Sequence, residues 1–282
     1  MTASAPLPAD PAAAAPQALP PAFSDREAAA LALRCLDLTS LREDDTAERI
    51  VALAERARTP HGAPAALCVY PAWLQTARAA LDARGLRAVR LATVVNFPRG
   101  ESPVGTVCDE VAAARAAGAD EIDVVLPWRA LQAGDEAGPA ALLAAVRTAC
   151  GPQPLKVILE TGELETPDAI ARASRVALAA GADFLKTSTG KTARHATPEA
   201  AAVMLAEIDQ ARSAGGRPCG LKVSGGVAGL AEVQTYLALA ARHLGRASLG
   251  PGNFRFGASS LLPALLAVLD GGAATPAAPG GY

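Results

Sequence analysis

The chain has 282 residues, of which 51% are hydrophobic, with 26 basic residues set against 28 acidic ones. That length holds one large domain with a substantial core or two small ones, and the apolar share excludes a disordered chain. A net charge of −2 with interspersed signs leaves no basic face for nucleic acid and no polybasic stretch for a membrane surface, and the apolar runs break off well short of a membrane span.

Residues 1–23 are rich in Ala and Pro, and no basic residue precedes Arg26. The prolines interrupt any apolar stretch, so the segment is expected to be a disordered tail rather than a signal peptide. From residue 24 to 270 a single domain is expected, followed by a flexible tail over 271–282, where Pro276 and Pro279 block a helix. Cys35, Cys68, Cys108, Cys150 and Cys219 are scattered and odd in number, which fits a reducing cytoplasm better than a disulfide framework or zinc site. His61, His195 and His243 lack metal-ligand spacing, so no metal is expected.

Between the tails, short apolar β-type runs alternate with Ala/Leu/Glu/Arg segments of helical period. Strands are predicted over Arg34–Leu38, Ala65–Val69, Arg87–Asn96, Glu121–Leu126, Leu155–Glu160, Asp183–Thr187, Gly220–Ser224 and Ala247–Gly250. The helices between them are predicted at Asp44–Arg58, Ala72–Ala83, Val104–Ala117, Pro139–Ala149, Pro167–Ala180, Pro198–Ser213, Leu230–Leu244 and Ser259–Leu269. Thr197 before Pro198 is a cap-then-proline helix start. Eight β-then-α units at a step of about 30 residues define a (β/α)8 TIM barrel of the α/β class. An open doubly wound sheet would need a Gly-rich loop after its first strand, where this chain has Thr39-Ser40-Leu41.

A barrel of this kind gathers its active residues at the C-terminal ends of its strands. That rule brings together Asp37, Asp123, Lys186 and Lys222. Lys186, in the run DFLKTSTGK, and Lys222, in LKVSGG, are amines inside apolar strands, where burial disfavours the charged form. Strands six and seven are neighbours, so each amine is expected to oppose the other's protonation and leave Lys186 a neutral nucleophile able to form a Schiff base. Asp123 would restore charge balance and relay protons. Lys156 and Glu160 are expected to form a structural ion pair within the barrel, with Lys156 alternatively adding to the positive field of the site.

Three loops suit a phosphate: Thr189-Gly190-Lys191 after strand six, Gly225-Gly226 after strand seven, and Gly257-Ala258-Ser259-Ser260 opening the last helix. Glycines let backbone N–H groups approach an anion, and a helix N-terminus favours negative charge. His195, beyond the first of these loops, is expected at the surface.

Taken together, DFLKTSTGK, LKVSGG, GADEIDVV, LKVILETGEL and FRFGASSLL, with CLDLTSL, LCVYP and VVNFPRG, resemble deoxyribose-phosphate aldolase, a class I aldolase on a (β/α)8 barrel. The resemblance runs from about Arg34 to Leu269. It implies reversible cleavage of 2-deoxy-D-ribose 5-phosphate to D-glyceraldehyde 3-phosphate and acetaldehyde, without cofactor or metal, in cytoplasmic deoxyribonucleotide catabolism. By the same resemblance Lys186 is the Schiff-base lysine, Asp123 and Lys222 activate it and shuttle protons, and Asp37 and Thr39 line the substrate pocket. Cys68 matches a cysteine beside the pocket. Tyr282 matches a C-terminal tyrosine that helps protonate the enamine in some members. Ala228 departs from the pattern, since many relatives carry a basic residue there. The partners implied are a phosphorylated sugar and aldehydes, and a homodimer is admitted by the sequence without being specified by it. Two rivals remain: a Schiff-base barrel aldolase for another sugar phosphate, and a non-catalytic sugar-phosphate-binding barrel.

Overall fold

In a computed structural model of the chain, residues 22–272 are described. Eight parallel strands close in sequence order into a barrel: β1 (Leu36–Ser40), β2 (Ala66–Val69), β3 (Arg90–Val95), β4 (Glu121–Val125), β5 (Leu155–Ile158), β6 (Phe184–Lys186), β7 (Gly220–Ser224) and β8 (Phe254–Ala258). The helices are α1 (Asp25–Arg34), α2 (Ala47–Arg56), α3 (Leu74–Asp82), α4 (Val104–Ala116), α5 (Trp128–Gln132), α6 (Ala137–Cys150), α7 (Thr161–Leu164), α8 (Pro167–Ala179), α9 (Pro198–Ser213), α10 (Leu230–Ala240) and α11 (Leu261–Leu269). Among the described residues no helix is long and apolar enough to cross a membrane. The tail expected over 1–23 lies outside the described residues except at its last two positions, and so do Tyr282 and most of the C-terminal tail.

Strand parity decides what faces the helices and what faces the barrel axis. Leu36 and Leu38, Ile122 and Val124, Leu155 and Val157, Leu185, Leu221 and Val223, and Phe254 and Phe256 belong to the main core between sheet and helices. The alternate residues point inward. On the β2–β3 side these are Ala66, Cys68, Ala92 and Val94, which form a separate small cluster. From β4 round to β1 they are mostly polar or charged: Glu121, Asp123, Lys156, Lys186, Lys222, Arg255 and Asp37, all buried. The interior is therefore lopsided, apolar on one side and ionic on the other.

The helix starts follow local chemistry. The hydroxyls of Thr46, Thr166 and Thr197 accept from the third backbone N–H beyond them, and Pro167 and Pro198 open α8 and α9. Helix α1, absent from the sequence prediction, begins with a capping box between Ser24 and Glu27 and packs on α10 and α11. Beyond Ala240 the predicted continuation of α10 widens into a π-helical turn over Ala241–Gly245.

The last strand differs from the sequence expectation. The run predicted at Ala247–Gly250 lies in a 3-10 turn and the loop after it, and β8 is Phe254–Ala258 instead. Arg255 interrupts the apolar run Phe254-Arg255-Phe256 and masks a strand whose phenylalanines face the helices while the arginine faces the axis.

Leu185 is fully buried on the outer face of β6, one residue before Lys186. Leu185→Ala is expected to lower the unfolding free energy by about 2–5 kcal/mol. Urea denaturation would measure this, and a loss below about 1 kcal/mol would show that the outer face of β6 is not packed as described.

Candidate active site

Register places the amines. Lys186 on β6 pairs with Lys222 on β7, Lys222 pairs with Arg255 on β8, and Asp123 on β4 pairs with Lys156 on β5. Asp123 is the hub. Its Oδ2 accepts from Lys186 Nζ at 2.9 Å and from Lys222 Nζ at 2.7 Å, while Oδ1 accepts from Lys156 Nζ at 2.7 Å. Lys222 also donates to Asp37 Oδ2 at 2.5 Å, and Lys156 lies 2.7 Å from Glu121 Oε2. Arg255 closes the set, with Nη1 donating to Asp37 Oδ1 at 2.5 Å and Nη2 to Glu121 Oε1 at 2.8 Å.

The three lysines differ in how many carboxylates hold them. Lys156 and Lys222 are fully buried and each touches at least two, whereas Lys186, 3% exposed, is paired among the described residues only with Asp123. Burial disfavours the charge on all three. For Lys186 burial prevails, helped by the neighbouring Lys222 and opposed by Asp123, and its proton affinity falls below that of an ordinary lysine. For Lys222 the balance reverses: against burial, Asp123 and Asp37 hold the ammonium well above the ordinary range. Mutual suppression of the two amines, expected from their proximity, is thus one-sided. Only Lys186 has its charge weakened, while that of Lys222 is strengthened.

The carboxylates are held as anions. Against burial, Lys156, Lys186 and Lys222 keep Asp123 well below its usual range, and Lys222 and Arg255 do the same for Asp37. Four cations, Lys156, Lys186, Lys222 and Arg255, face three anions, Asp37, Glu121 and Asp123. The cluster reaches neutrality when one cation is discharged, and Lys186 is the one with fewest partners.

Several sequence expectations change in detail. Lys156 does not pair with Glu160. After β5 the chain turns, Glu160 takes a left-handed φ of 58°, and its carboxylate receives the hydroxyl of Thr189 at 2.5 Å. Thr189 also gives Glu160 its backbone N–H, and its hydroxyl oxygen accepts from the Lys191 N–H at 3.0 Å. Thr189 therefore shapes the turn, its side chain committed to Glu160 and to the Lys191 N–H. Asp37, expected at the pocket wall, commits both oxygens to Lys222 and Arg255, while the Thr39 hydroxyl donates to the Asp37 carbonyl at 2.8 Å.

Gly190, Gly225 and Gly226 all have φ near +80°, the left-handed region open to glycine at little cost. Lys191 Nζ reaches the Leu41 carbonyl at 2.7 Å, tying the loop after β6 to the end of β1. Gly257 lies within β8, where a Cβ would stand 3.0 Å from Lys222 Cε, so its lack of a side chain makes room for that amine. Ser259 and Ser260 precede α11, half-buried at its N-terminal end. His195 is half-buried rather than on the surface, its ring packed against Gly225 and Gly226. Cys68 is buried on the apolar side of the interior, and its thiol is raised above its ordinary range by burial.

Sequence reasoning missed Glu121 and Arg255. Glu121 stands two residues before Asp123 and so on the same inward face, which was a readable signal. Arg255 was hidden by the displaced position of the last strand.

A weakly basic amine at the mouth of a parallel barrel, backed by a buried carboxylate and a second, charged amine, defines a lysine-centred barrel enzyme of the carbon–carbon lyase class. The chain belongs to the DeoC/LacD family of aldolases, whose profile matches residues 31–267. It is 49% identical over 256 residues to a deoxyribose-phosphate aldolase of Agrobacterium fabrum, covering 90% of this chain and 96% of that one. A crystal structure from Toxoplasma gondii ME49, whose deoxyribose-phosphate aldolase label is provisional, superposes with a TM-score of 0.80 at 30% identity, covering 88% of this chain and 98% of that one. A tetrameric deoxyribose phosphate aldolase from Aeropyrum pernix, 22% identical, shares the fold at a TM-score of 0.67 over 87% of this chain and 92% of that one.

The depressed carboxylates set a sign for acid stability. Groups whose proton affinity is lowered by folding stabilise the protein above their unfolded range and lose that contribution as the pH falls. Thermal midpoints are expected to drop below about pH 4, and the drop should be shallower in Asp123→Asn. An acid limb of the same steepness in that variant would show that Asp123 is not held as an anion.

Proposed function

We propose that the protein cleaves 2-deoxy-D-ribose 5-phosphate reversibly to D-glyceraldehyde 3-phosphate and acetaldehyde through a Schiff base on Lys186. The observation that carries this reading is the inequality of the three buried amines: the least partnered and most accessible of them is also the one whose charge is weakened. The 49% identity to the Agrobacterium fabrum aldolase supports the choice of substrate.

The steps are those of a class I aldolase, and the geometry of the amines supports them. Neutral Lys186 adds to the substrate aldehyde, and loss of water leaves an iminium at C1. The C3 hydroxyl gives up its proton, the C2–C3 bond breaks, and its electron pair moves into the iminium to form an enamine. Glyceraldehyde 3-phosphate departs. A neutral enamine replaces an unstable carbanion, which is what covalent catalysis supplies. Asp123, hydrogen-bonded to both Lys186 and Lys222, is placed to pass the proton, through water, from the C3 hydroxyl to the enamine carbon. Hydrolysis then frees acetaldehyde and the amine.

The phosphate is assigned to the backbone around Gly190, Gly225 and Gly226 and to the N-terminal end of α11 at Ser259 and Ser260, with Lys191 beside it. Thr189 and Gly257 serve this site by shaping the loop and by making room for Lys222. With Ala228 in the loop after β7, backbone groups carry more of the binding there. Tyr282 is assigned to enamine protonation on the resemblance alone. Its removal is expected to slow deuterium exchange into the acetaldehyde methyl more than it weakens phosphate binding, and equal losses in both would dismiss the role.

Borohydride trapping with deoxyribose 5-phosphate, followed by peptide mass mapping, tests the central step. An adduct on Lys186 is expected, and Lys186→Ala should lower turnover by about 10³-fold or more, as loss of a covalent nucleophile does elsewhere. A trapped adduct on another lysine, or full turnover in Lys186→Ala, would overturn the mechanism.

A further inference from the structure

Beneath the amines lies an ion pair that the reaction does not touch. Glu121 on β4 and Arg255 on β8 sit on opposite strands of the closed barrel, four steps apart in either direction. Arg255 Nη2 donates to Glu121 Oε1 at 2.8 Å and Nη1 to Glu121 Oε2 at 3.3 Å, so the pair spans the interior in a forked contact. Its guanidinium lies 5.6 Å from the ring centre of Phe184, two residues before Lys186 on β6. Each member also touches the upper cluster, Arg255 through Asp37 and Glu121 through Lys156.

Filling space alone would not call for these residues, since a buried ion pair generally adds no stability over apolar side chains of similar size. The β2–β3 side of the same interior is closed with Ala66, Cys68, Ala92 and Val94. The buried charges at this level lie on the side that carries the lysines, and Arg90 at the start of β3 is half-exposed.

We propose that Arg255 and Glu121 are positioning residues that fix the charge state of Lys186 from below, acting through Asp37, Lys222, Lys156 and Asp123. The inference rests on the Schiff-base reading for its purpose, though not for its measurement. The groups that face Lys186 are Asp123 from β4, Lys222 from β7, Cys68 from β2 and Glu160 after β5; Lys156 from β5 and Asp37 from β1 stand behind them on Asp123 and Lys222, with Glu121 and Arg255 below. Half-exposed Arg90, on β3, lies 3.5 Å from Glu121.

Charge counting gives the sign. Within the set joined by ion pairs at the axis, setting aside half-exposed Arg90 and the Thr189-bonded Glu160, Lys156, Lys222 and Arg255 balance Asp37, Glu121 and Asp123 when Lys186 is neutral. Removing Arg255 leaves one excess negative charge, and because Asp37 and Glu121 are still held as anions by Lys222 and Lys156, the group free to take up a proton is Lys186. Removing the charge of Glu121 leaves one excess positive charge, which favours the free amine. Two strand spacings of ~4.8 Å separate β6 from β8, and a unit charge at that distance shifts a proton affinity by about tenfold at an effective dielectric near 20.

The test is the pH dependence of Lys186 labelling by acetaldehyde and cyanoborohydride, read by peptide mass in the full chain. In Arg255→Met the midpoint is expected to rise by about one pH unit, and in Glu121→Gln to fall by about one. Arg255→Lys should restore it, and the double variant should return close to the unmodified protein. Shifts of the same direction in the two single variants, or unmoved midpoints with lowered melting temperature in both, would reduce the pair to scaffolding and overturn the inference. If Arg255→Met does not fold, Glu121→Gln decides alone: a lower midpoint upholds the inference and an unmoved one overturns it. If the unmodified protein forms no adduct, the Schiff-base reading fails. Competitive acetylation of Lys186 by acetic anhydride across the same pH range then reads the same shifts in the same variants and decides this inference separately.

Discussion

The carboxylate of Asp123 holds the site together. Two oxygens receive three ammonium or amine groups from three different strands, β5, β6 and β7, at 2.7–2.9 Å. Buried like charges on adjacent strands would otherwise repel, and the register that sets Lys186 beside Lys222 would be costly. One shared anion turns that repulsion into a graded set of environments, in which amines held by a second carboxylate bind their protons more firmly than an ordinary lysine and the amine without one binds its proton less firmly. Selectivity among chemically identical side chains thus comes from counting neighbours and not from any special feature of Lys186.

Backbone geometry makes this arrangement possible. A closed parallel barrel points alternate residues at its axis from every strand, so residues distant in sequence meet there without long loops. Inward charges are compatible with such a fold only where each finds a partner, and here the partners come from across the axis as well as from adjacent strands. The apolar β2–β3 wall needs no partners and is built from small side chains, which leaves the interior volume to the long lysines and arginine opposite.

Charge inside an apolar run was the feature most readable from sequence. Asp123, Lys186 and Lys222 each interrupt a strand pattern, and the parity of their strands places them on one face, so their meeting follows from the pattern of residues alone. Parity reached its limit at strand ends. Lys156 and Glu160 share parity and looked like a pair, but β5 stops at Ile158 and the left-handed residue at 160 sends the carboxylate to Thr189. Arg255 failed for the opposite reason. An arginine between two phenylalanines reads as a break in a strand unless the inner face is already known to be ionic. Glu121, at the first position of β4, shares the inward parity of Asp123 and could have been read from it. Neither the cross-barrel pairing nor the role of Gly257 in clearing space for Lys222 has a local signature, because both depend on which strands end up opposite or adjacent.

The sealing of the cluster has a consequence for where protons come from. Lys156 and Lys222 are wholly buried, and of the three lysines only Lys186 retains any exposure. A substrate seated on Lys186 therefore meets the cluster through the hydrogen bonds that Asp123 shares with Lys186 and Lys222. On the proposed mechanism, a nucleus that leaves a substrate hydroxyl can be held around Asp123, and its return to carbon competes with delivery from solvent or from Tyr282. The isotopic composition of the product would then record how far the hydrogen nuclei of the cluster mix with those of solvent before the carbon is protonated.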